Sequence, residues 1–386
     1  MSIGSVRRDH VKKILYIENE AKADSVSFYK AALDASLRMG WEFHLAYHCL
    51  DYSEDRMREV ERKYGFCFHQ IDFARNPLHP MNFRAYSQLK KLADESFDLI
   101  HCNTPVGGVL GRLLAAQKRI RPVIYQAHGF HFYTGAPLIN WLLYYPVEKS
   151  LARFTDRIIT ISREDYEYAR EHLHPRSGVS YIPGVGIEPD EWKNGRDIRR
   201  DIGINENDFV ILSVGRLERN KNCGILIDAV CEIPDIRLIF CGDGPDRALL
   251  QNKATQKGIA NRVLFLGNRN DMLDIYHSVD CFVMASFREG LSRSIMEAMA
   301  CGLPCIVSDI RGNRDLIDLE GGFLFDPNDA NELAKQIGKI RNSAERRRKM
   351  GFHNREKVSQ FSYDRVLEEM LSIYREIEEQ MDHGTG

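Results

Sequence analysis

Short apolar runs alternate with longer amphipathic stretches along almost the whole chain, and that alternation leaves few folds open. Residues 11–17 (VKKILYI) read as a strand, 26–39 as a helix closed by Gly40, and 41–47 (WEFHLAY) as a second strand. A helix over 53–64, a strand over 66–71, a helix over 83–95 and a strand over 99–102 follow. A helix over 108–118, a strand over 122–126, a further helix and a strand over 157–161 complete this half. Strands separated by helices of about ten to fifteen residues need crossover connections, which give a parallel sheet covered on both faces.

Residues 183–208 break the pattern. They are rich in Gly, Pro, Asp and Asn and lack an apolar period, as an interdomain linker does. Strand-like runs then resume at 209–214, 237–241, 263–266, 281–284 and 305–307. The expected architecture is α/β, with two Rossmann-like doubly wound parallel-sheet domains, residues 1–186 and 187–362, facing each other across a cleft. Ligands in such sheets bind at the carboxyl ends of the strands. The tail, residues 363–381, reads as one helix with Val366, Met370, Tyr374, Ile377 and Met381 along one side. It is expected to pack back across the domain junction.

A chain of 386 residues has room for two such cores. Its 53 Lys and Arg against 55 Asp and Glu exclude a protein that holds nucleic acid by bulk charge. Residues 1–186 carry 25 basic and 21 acidic side chains, a mild excess that suits an anionic membrane surface and equally a chance distribution. No run approaches the roughly eighteen apolar residues of a membrane-spanning helix. The start, MSIGSVRRDHVKK, has basic residues without the apolar core of a secretory signal, so a cytosolic location is expected. Nine scattered cysteines without a C-x-x-C read as free core thiols rather than metal ligands or disulfides.

The densest constellation is FREGLSRSIMEAMACG, residues 287–302. A strand runs into a loop with Glu289 and Gly290, and a helix begins near Ser292, where free N–H groups and the helix dipole favour an anion. Gly290 permits close approach of a ligand to the backbone. Glu289 and Glu297 stand roughly 7–10 Å apart along the helix axis, about the span from a sugar to a ribose across a diphosphate. By spacing alone the pair carries little weight, because a chain with this many glutamates yields such spacings by chance.

Other residues add to it. Ser213-Val-Gly-Arg-Leu-Glu-Arg-Asn-Lys-Asn puts Arg216 at a strand end and Lys221 near the next helix start, a possible diphosphate clamp or two solvated cations. Cys241-Gly-Asp-Gly-Pro is a turn that fits under a nucleotide, with Gly242 at its start, and equally a plain turn. Leu266-Gly-Asn-Arg-Asn ends a strand and offers Asn268 and Arg269 to a base edge.

The series GRLERNKN, FCGDGP, FLGNRND, REGLSRSIMEAMACGLP and DIRGNRDLI, in this order, resembles the family-4 glycosyltransferases of the GT-B fold. HCNTPVGGVLGR, QAHGFHFYTG, TDRIITISREDYEYA and IPGVGIE in the first half are similar to the bacterial exopolysaccharide and capsule branch. The resemblance implies retaining, metal-independent transfer of a sugar from a nucleotide-diphosphate sugar, with uridine the family-level base, to a lipid-linked saccharide acceptor; no cofactor is implied. Arg216 and Lys221 would hold the diphosphate, Glu297 the ribose, and Glu289 the donor sugar with the amides of Gly290 and Leu291. His128 corresponds to a histidine near the reacting sugar, although His131 lies close enough to share that assignment.

One departure is the segment after the first strand, IENEAKADSVSFYK, where the family often carries a Gly-rich loop; residues 18–27 are left unassigned between contact with the acceptor and contact with the donor phosphate. No D-x-D triplet is present. Two other classes remain open at this point: a nonhydrolysing sugar-nucleotide 2-epimerase, and a non-catalytic nucleotide-sugar-binding subunit. The basic run Arg346–Lys349 reads as a solvated helix face. The aromatic stretch Phe130, Phe132, Tyr133, Trp141, Tyr144 and Tyr145 reads as core or acceptor-groove packing, with shallow peripheral membrane contact sensible for a lipid-linked acceptor.

Overall fold

The computed structural model describes residues 10–23 and 25–383. Most of the basic N-terminal segment read above as no secretory signal, residues 1–9, lies outside the described residues. The chain divides into two units, Met1–Val185 with Val366–Gly386, and Gly186–Arg365.

In the first unit seven strands are β1 (Lys13–Ala21), β2 (Glu42–Cys49), β3 (Cys67–Gln70), β4 (Leu99–Asn103), β5 (Val123–Ala127), β6 (Arg157–Thr160) and β7 (Val179–Tyr181). They pair in parallel in the order β3-β2-β1-β4-β5-β6-β7. The second unit holds β8 (Phe209–Val214), β9 (Ile236–Cys241), β10 (Val263–Gly267), β11 (Cys281–Met284), β12 (Cys305–Ser308) and β13 (Gly322–Phe325). These pair in parallel as β10-β9-β8-β11-β12-β13. In both sheets the order reverses beside the first strand, the switch point where doubly wound sheets open a crevice.

Strands such as Leu99–Asn103 and Cys281–Met284 are buried throughout, because helices cover both faces; that is why they read as continuous apolar runs. The helix Glu54–Tyr64 shows the local logic at its two ends. Ser53 accepts from the Arg56 N–H, and Gly65, at φ +75°, closes the last turn.

Three expectations need correction. β1 does not stop at residue 17 but runs on through Glu18, Asn19 and Glu20 to Ala21, held by pairing with β2 across a register shift. β7 and β13 were missed: β7, VSY, is three half-buried residues without an apolar run, and β13, GFLF, is a four-residue strand that opens on glycine and leaves its two middle side chains half-buried.

The C-terminal helix Tyr363–His383 buries Val366, Met370, Tyr374 and Ile377. Tyr374 stacks on Trp41 with ring centroids 5.2 Å apart, and its hydroxyl lies 2.7 Å from His101 Nδ1 on β4. Lys12 Nζ donates to Glu378 Oε1 at 2.8 Å, so the helix end is tied to the first unit by charge as well as by packing. Among the described residues no helix is long and apolar enough to cross a membrane. All nine cysteines are free.

Candidate functional site

The carboxyl ends of β8, β9 and β10 surround a cavity of about 510 Å³, with Gly215, Arg216, Gly242, Gly244, Asn268 and Arg269 in its lining. Glycine is required at its base. Gly242 has φ +128°, a conformation L side chains rarely adopt, and a Cβ there would lie 2.0 Å from the Gly215 carbonyl oxygen. Gly215 N–H donates to Cys241 O at 2.9 Å and Gly242 N–H to Gly267 O at 2.8 Å, so three successive strand ends are stitched backbone to backbone. Two cations border this cavity. Arg216, 61% exposed, pairs with Glu218 at 3.2 Å, and Arg269 forks onto Asp271 at 2.8 and 2.5 Å.

Next to the glycine wall stands a second cluster. Lys221 Cε lies 3.3 Å from the point a Cβ on Gly215 would occupy, so the lysine stem runs along the back of the cavity loop. Its Nζ donates to Glu289 Oε1 at 2.6 Å, and both side chains are largely buried. Two loops are locked together to make this pair: Phe287 N–H donates to Asn220 O at 2.9 Å, and Asn220 Nδ2 to Arg288 O at 3.0 Å. From the other side the Gly290 carbonyl sits where any Cβ on Gly312 would be, 1.6 Å away. Lys221 is thus not the solvated cation its sequence context allowed.

The helix Arg293–Ala300 starts beside this pair, preceded by Leu291 (9% exposed) and Ser292. No side chain caps its first turn and no acidic residue lies in it, so the positive end of the dipole is left uncompensated. Glu297, further along, is fixed at both oxygens, by Arg293 Nε at 3.0 Å and by the Tyr276 hydroxyl at 3.0 Å. Burial raises its pKa above the usual carboxylate range, with Arg293 and Tyr276 opposing.

The first unit shows a different surface at its strand ends. His128 follows β5; its Nε2 is buried without a hydrogen-bond partner, and Phe28 meets the ring edge-on at 5.5 Å. Burial pulls its pKa down to about 4, so the ring is neutral at pH 7. His131 is set apart by stacking on Tyr144 at 4.4 Å.

Along the same edge, Glu18 Oε2 and Asn19 Oδ1 on β1, Asn103 Oδ1 on β4 and Thr160 Oγ1 on β6 are also buried without partners. Burial raises the Glu18 pKa to about 7, against a hydrogen bond from Asn103 that lowers it. Sequence reasoning left Glu18 and Asn19 open between the acceptor and the donor phosphate and gave Asn103 and Thr160 no role. The available signal was a polar residue closing each apolar run, in ILYIEN, LIHCN and RIIT.

In the aromatic stretch the rings turn inward. Phe130 and Phe132 are buried and stack at 4.9 Å, with Trp141 and Tyr145 packed against that core. On the helix Leu138–Ala152 it is the aliphatic residues that face outward: Leu138, Ile139, Leu142 and Leu143 are all more than half exposed.

Comparison with known proteins gives a consistent picture. A family model described as Glycosyltransferase Family 4 matches residues 32–188, and one described as Glycosyl transferases group 1 matches residues 194–357. The chain is 37% identical over 379 residues to EpsD of Bacillus subtilis (strain 168), described provisionally as a glycosyltransferase, covering 94% of this chain and 96% of that one. It is 33% identical over 267 residues to the UDP-Gal:alpha-D-GlcNAc-diphosphoundecaprenol alpha-1,3-galactosyltransferase of Escherichia coli, covering 66% and 69%. In fold it is similar to HepE of Anabaena solved with UDP, with a TM-score of 0.77, 22% identity and coverage of 95% and 100%. HepE has also been solved with UDP-glucose.

Proposed function

Because the chain belongs to the family-4 glycosyltransferases and has the GT-B fold, we propose that it transfers a sugar, with retention and without a metal, from a UDP-sugar to a polyprenyl-diphosphate-linked saccharide in surface polysaccharide synthesis. The observation that carries this reading is the glycine-walled cavity of the second unit set against the Lys221–Glu289 pair and the uncapped start of the helix Arg293–Ala300. UDP and UDP-glucose are bound by HepE, and the Escherichia coli relative acts on a diphosphoundecaprenol-linked sugar.

In this reading the base lies against Gly242 and Arg269, and the ribose hydroxyls bond to Glu297, which Arg293 and Tyr276 hold in place. Arg216, Lys221 and the helix start take the diphosphate, and Glu289, oriented by Lys221, accepts from hydroxyls of the donor sugar near the Gly290 and Leu291 amides. As the bond from the anomeric carbon to the diphosphate breaks, negative charge grows on the leaving oxygen, and preorganised cations and N–H groups stabilise it. The acceptor hydroxyl attacks from the face the diphosphate leaves, its oxygen bonds to the anomeric carbon, and its proton passes to the departing diphosphate. His128, neutral at working pH, serves as a hydrogen-bonding partner of a sugar hydroxyl rather than as a charge.

A lipid-borne acceptor brings the enzyme to a membrane surface. The outward aliphatic residues of the helix Leu138–Ala152 support shallow contact there.

The test is incubation of the full chain with a panel of nucleotide sugars and a polyprenyl-diphosphate-linked saccharide in excess EDTA. Acceptor-dependent release of UDP and a product with the donor's anomeric configuration are expected. A new epimer of the donor without transfer, or tight donor binding with no turnover on any acceptor, would count against the reading.

A further inference from the structure

At the amino ends of the first sheet, away from the strand ends that carry Glu18 and His128, a second group of chemically active side chains converges. β2 and β3 are parallel neighbours with His44 opposite Cys67 and Ala46 opposite His69. Side chains two residues apart on a strand share a face, so Glu42 and His44 on β2 stand beside Cys67 and His69 on β3. Glu42, His44 and Cys67 each offer a donor atom, and the three atoms lie within 4.8 Å of one another. His44 Nε2 already meets Glu42 Oε1 at 2.8 Å, and the other Glu42 oxygen meets Lys13 Nζ at 3.5 Å.

On its other side His44 is held from behind. His44 Nδ1 lies 2.9 Å from His69 Nε2, the two rings are stacked 10° from parallel, and Phe97 closes edge-on at 5.0 Å. His44, His69 and Glu95 likewise bring donor atoms within 4.8 Å of one another. An imidazole whose second nitrogen is fixed by a hydrogen bond to a neighbouring side chain, here His69 with the Glu95 carboxylate close by, is the arrangement that orients a metal-binding histidine.

We propose that Glu42, His44 and Cys67 form a binding site for a zinc-class divalent cation, with water in the fourth position and His69 and Glu95 as the outer support of His44. One oxygen, one nitrogen and one sulfur donor suit a borderline-soft ion that takes four ligands at about 2.0–2.3 Å. Such bond lengths bring tetrahedral ligand atoms to roughly 3.3–3.8 Å from one another, a small side-chain adjustment from their present spacing. With Nε2 on the metal, His44 carries its proton on Nδ1 and donates to His69 Nε2; the proton released to solvent is that of the Cys67 thiol. The ion would clamp the four-residue edge strand β3 to β2, a role in stability rather than in transfer chemistry. It also gives Cys67, one of two cysteines that are not fully buried, a use other than the free-thiol reading of the sequence.

The full chain, stripped with EDTA and then dialysed free of it, is titrated with Co²⁺ as a spectroscopic stand-in for Zn²⁺. The proposal expects one equivalent to produce a thiolate-to-cobalt charge-transfer band, displaced by Zn²⁺, and Zn²⁺ to raise the unfolding temperature of the chain by several degrees. Cys67→Ser, with unchanged far-ultraviolet circular dichroism, should lose the band and most of the thermal shift. Glu95→Gln should keep the band with affinity weakened by about tenfold. No band in the wild-type chain, or a band that survives Cys67→Ser, overturns the proposal. Metal binding that survives Cys67→Ser but disappears in Glu95→Gln also overturns it, by placing the ion on His44, His69 and Glu95.

Discussion

The two sheets present the same topological edge and furnish it in opposite ways. At the carboxyl ends of the second sheet, charge is compact and paired: Lys221 with Glu289, Arg269 with Asp271, and Glu297 with Arg293 and Tyr276, around turns that only glycine can make. At the carboxyl ends of the first sheet, Glu18, Asn19, Asn103, His128 and Thr160 each bury a polar atom that has no partner. Paired charges set around a cavity are suited to an anion of fixed shape. Buried unpartnered groups cost on the order of 1–3 kcal/mol each until something bonds to them, which is a demand for a polar, many-hydroxyl ligand. Under the proposed function, the face of the second sheet takes the constant part of the substrate and that of the first sheet the variable one.

The sharpest way to break this comparison is to remove the second unit's central cation. Lys221→Ala should cut turnover by about a hundredfold or more, corresponding to about 2.7–4 kcal/mol, with the fold intact by circular dichroism. Near-normal turnover would return Lys221 to a structural partner of Glu289.

Next in size is a test of the first unit. Glu18 has its pKa raised to about 7 in the fold, so its protonated form stabilises the native state fully below the ordinary carboxylate value near 4.5, and that contribution is lost as pH rises through about 7. Glu18→Gln should therefore gain up to about 3 kcal/mol on the wild type between pH 5 and pH 8.5, read from denaturant unfolding of the two proteins at each pH. His128 works with the opposite sign: with its pKa at about 4, its contribution is lost as pH falls below the ordinary imidazole value of 6.5. The variant should thus expose a slope that the wild type partly cancels. Parallel stability curves for wild type and variant would show that Glu18 is not the buried acid described here.

A smaller effect separates binding from chemistry within the second unit. Glu297→Gln keeps the size of the side chain but not its charge, and should weaken UDP binding by about tenfold, roughly 1.4 kcal/mol, with less change in kcat. Unchanged UDP affinity by calorimetry would remove the ribose role.

The contrast between the faces also explains what the sequence let one read. The second face is built from contiguous pieces, each a strand followed by a glycine turn and a charge, so Gly242, Arg269, Glu289 and Glu297 stood out in the text. What stayed hidden there was the pairing of Lys221 with Glu289, because it depends on Asn220 joining two loops 67 residues apart, as Phe287 N–H donates to its carbonyl. The first face gathers single residues from β1, β4 and β6, separated by whole helices, and no local motif announces them. Only His128 was found, through its family context. The alternation of strands and helices was legible because burial on both faces makes long apolar runs; β7, VSY, has no such run and β13, GFLF, only a short and half-covered one.

The central claim is that the glycine-walled cavity of the second unit holds the nucleotide end of the donor. Calorimetric titration of UDP into the wild type and Gly242→Ala, both in EDTA, tests it directly. A Cβ at residue 242 would meet the Gly215 carbonyl at 2.0 Å, so the account predicts saturable one-to-one binding in the wild type and a loss of at least a hundredfold in the variant. Equal affinity in the two proteins, with both folded, would contradict it.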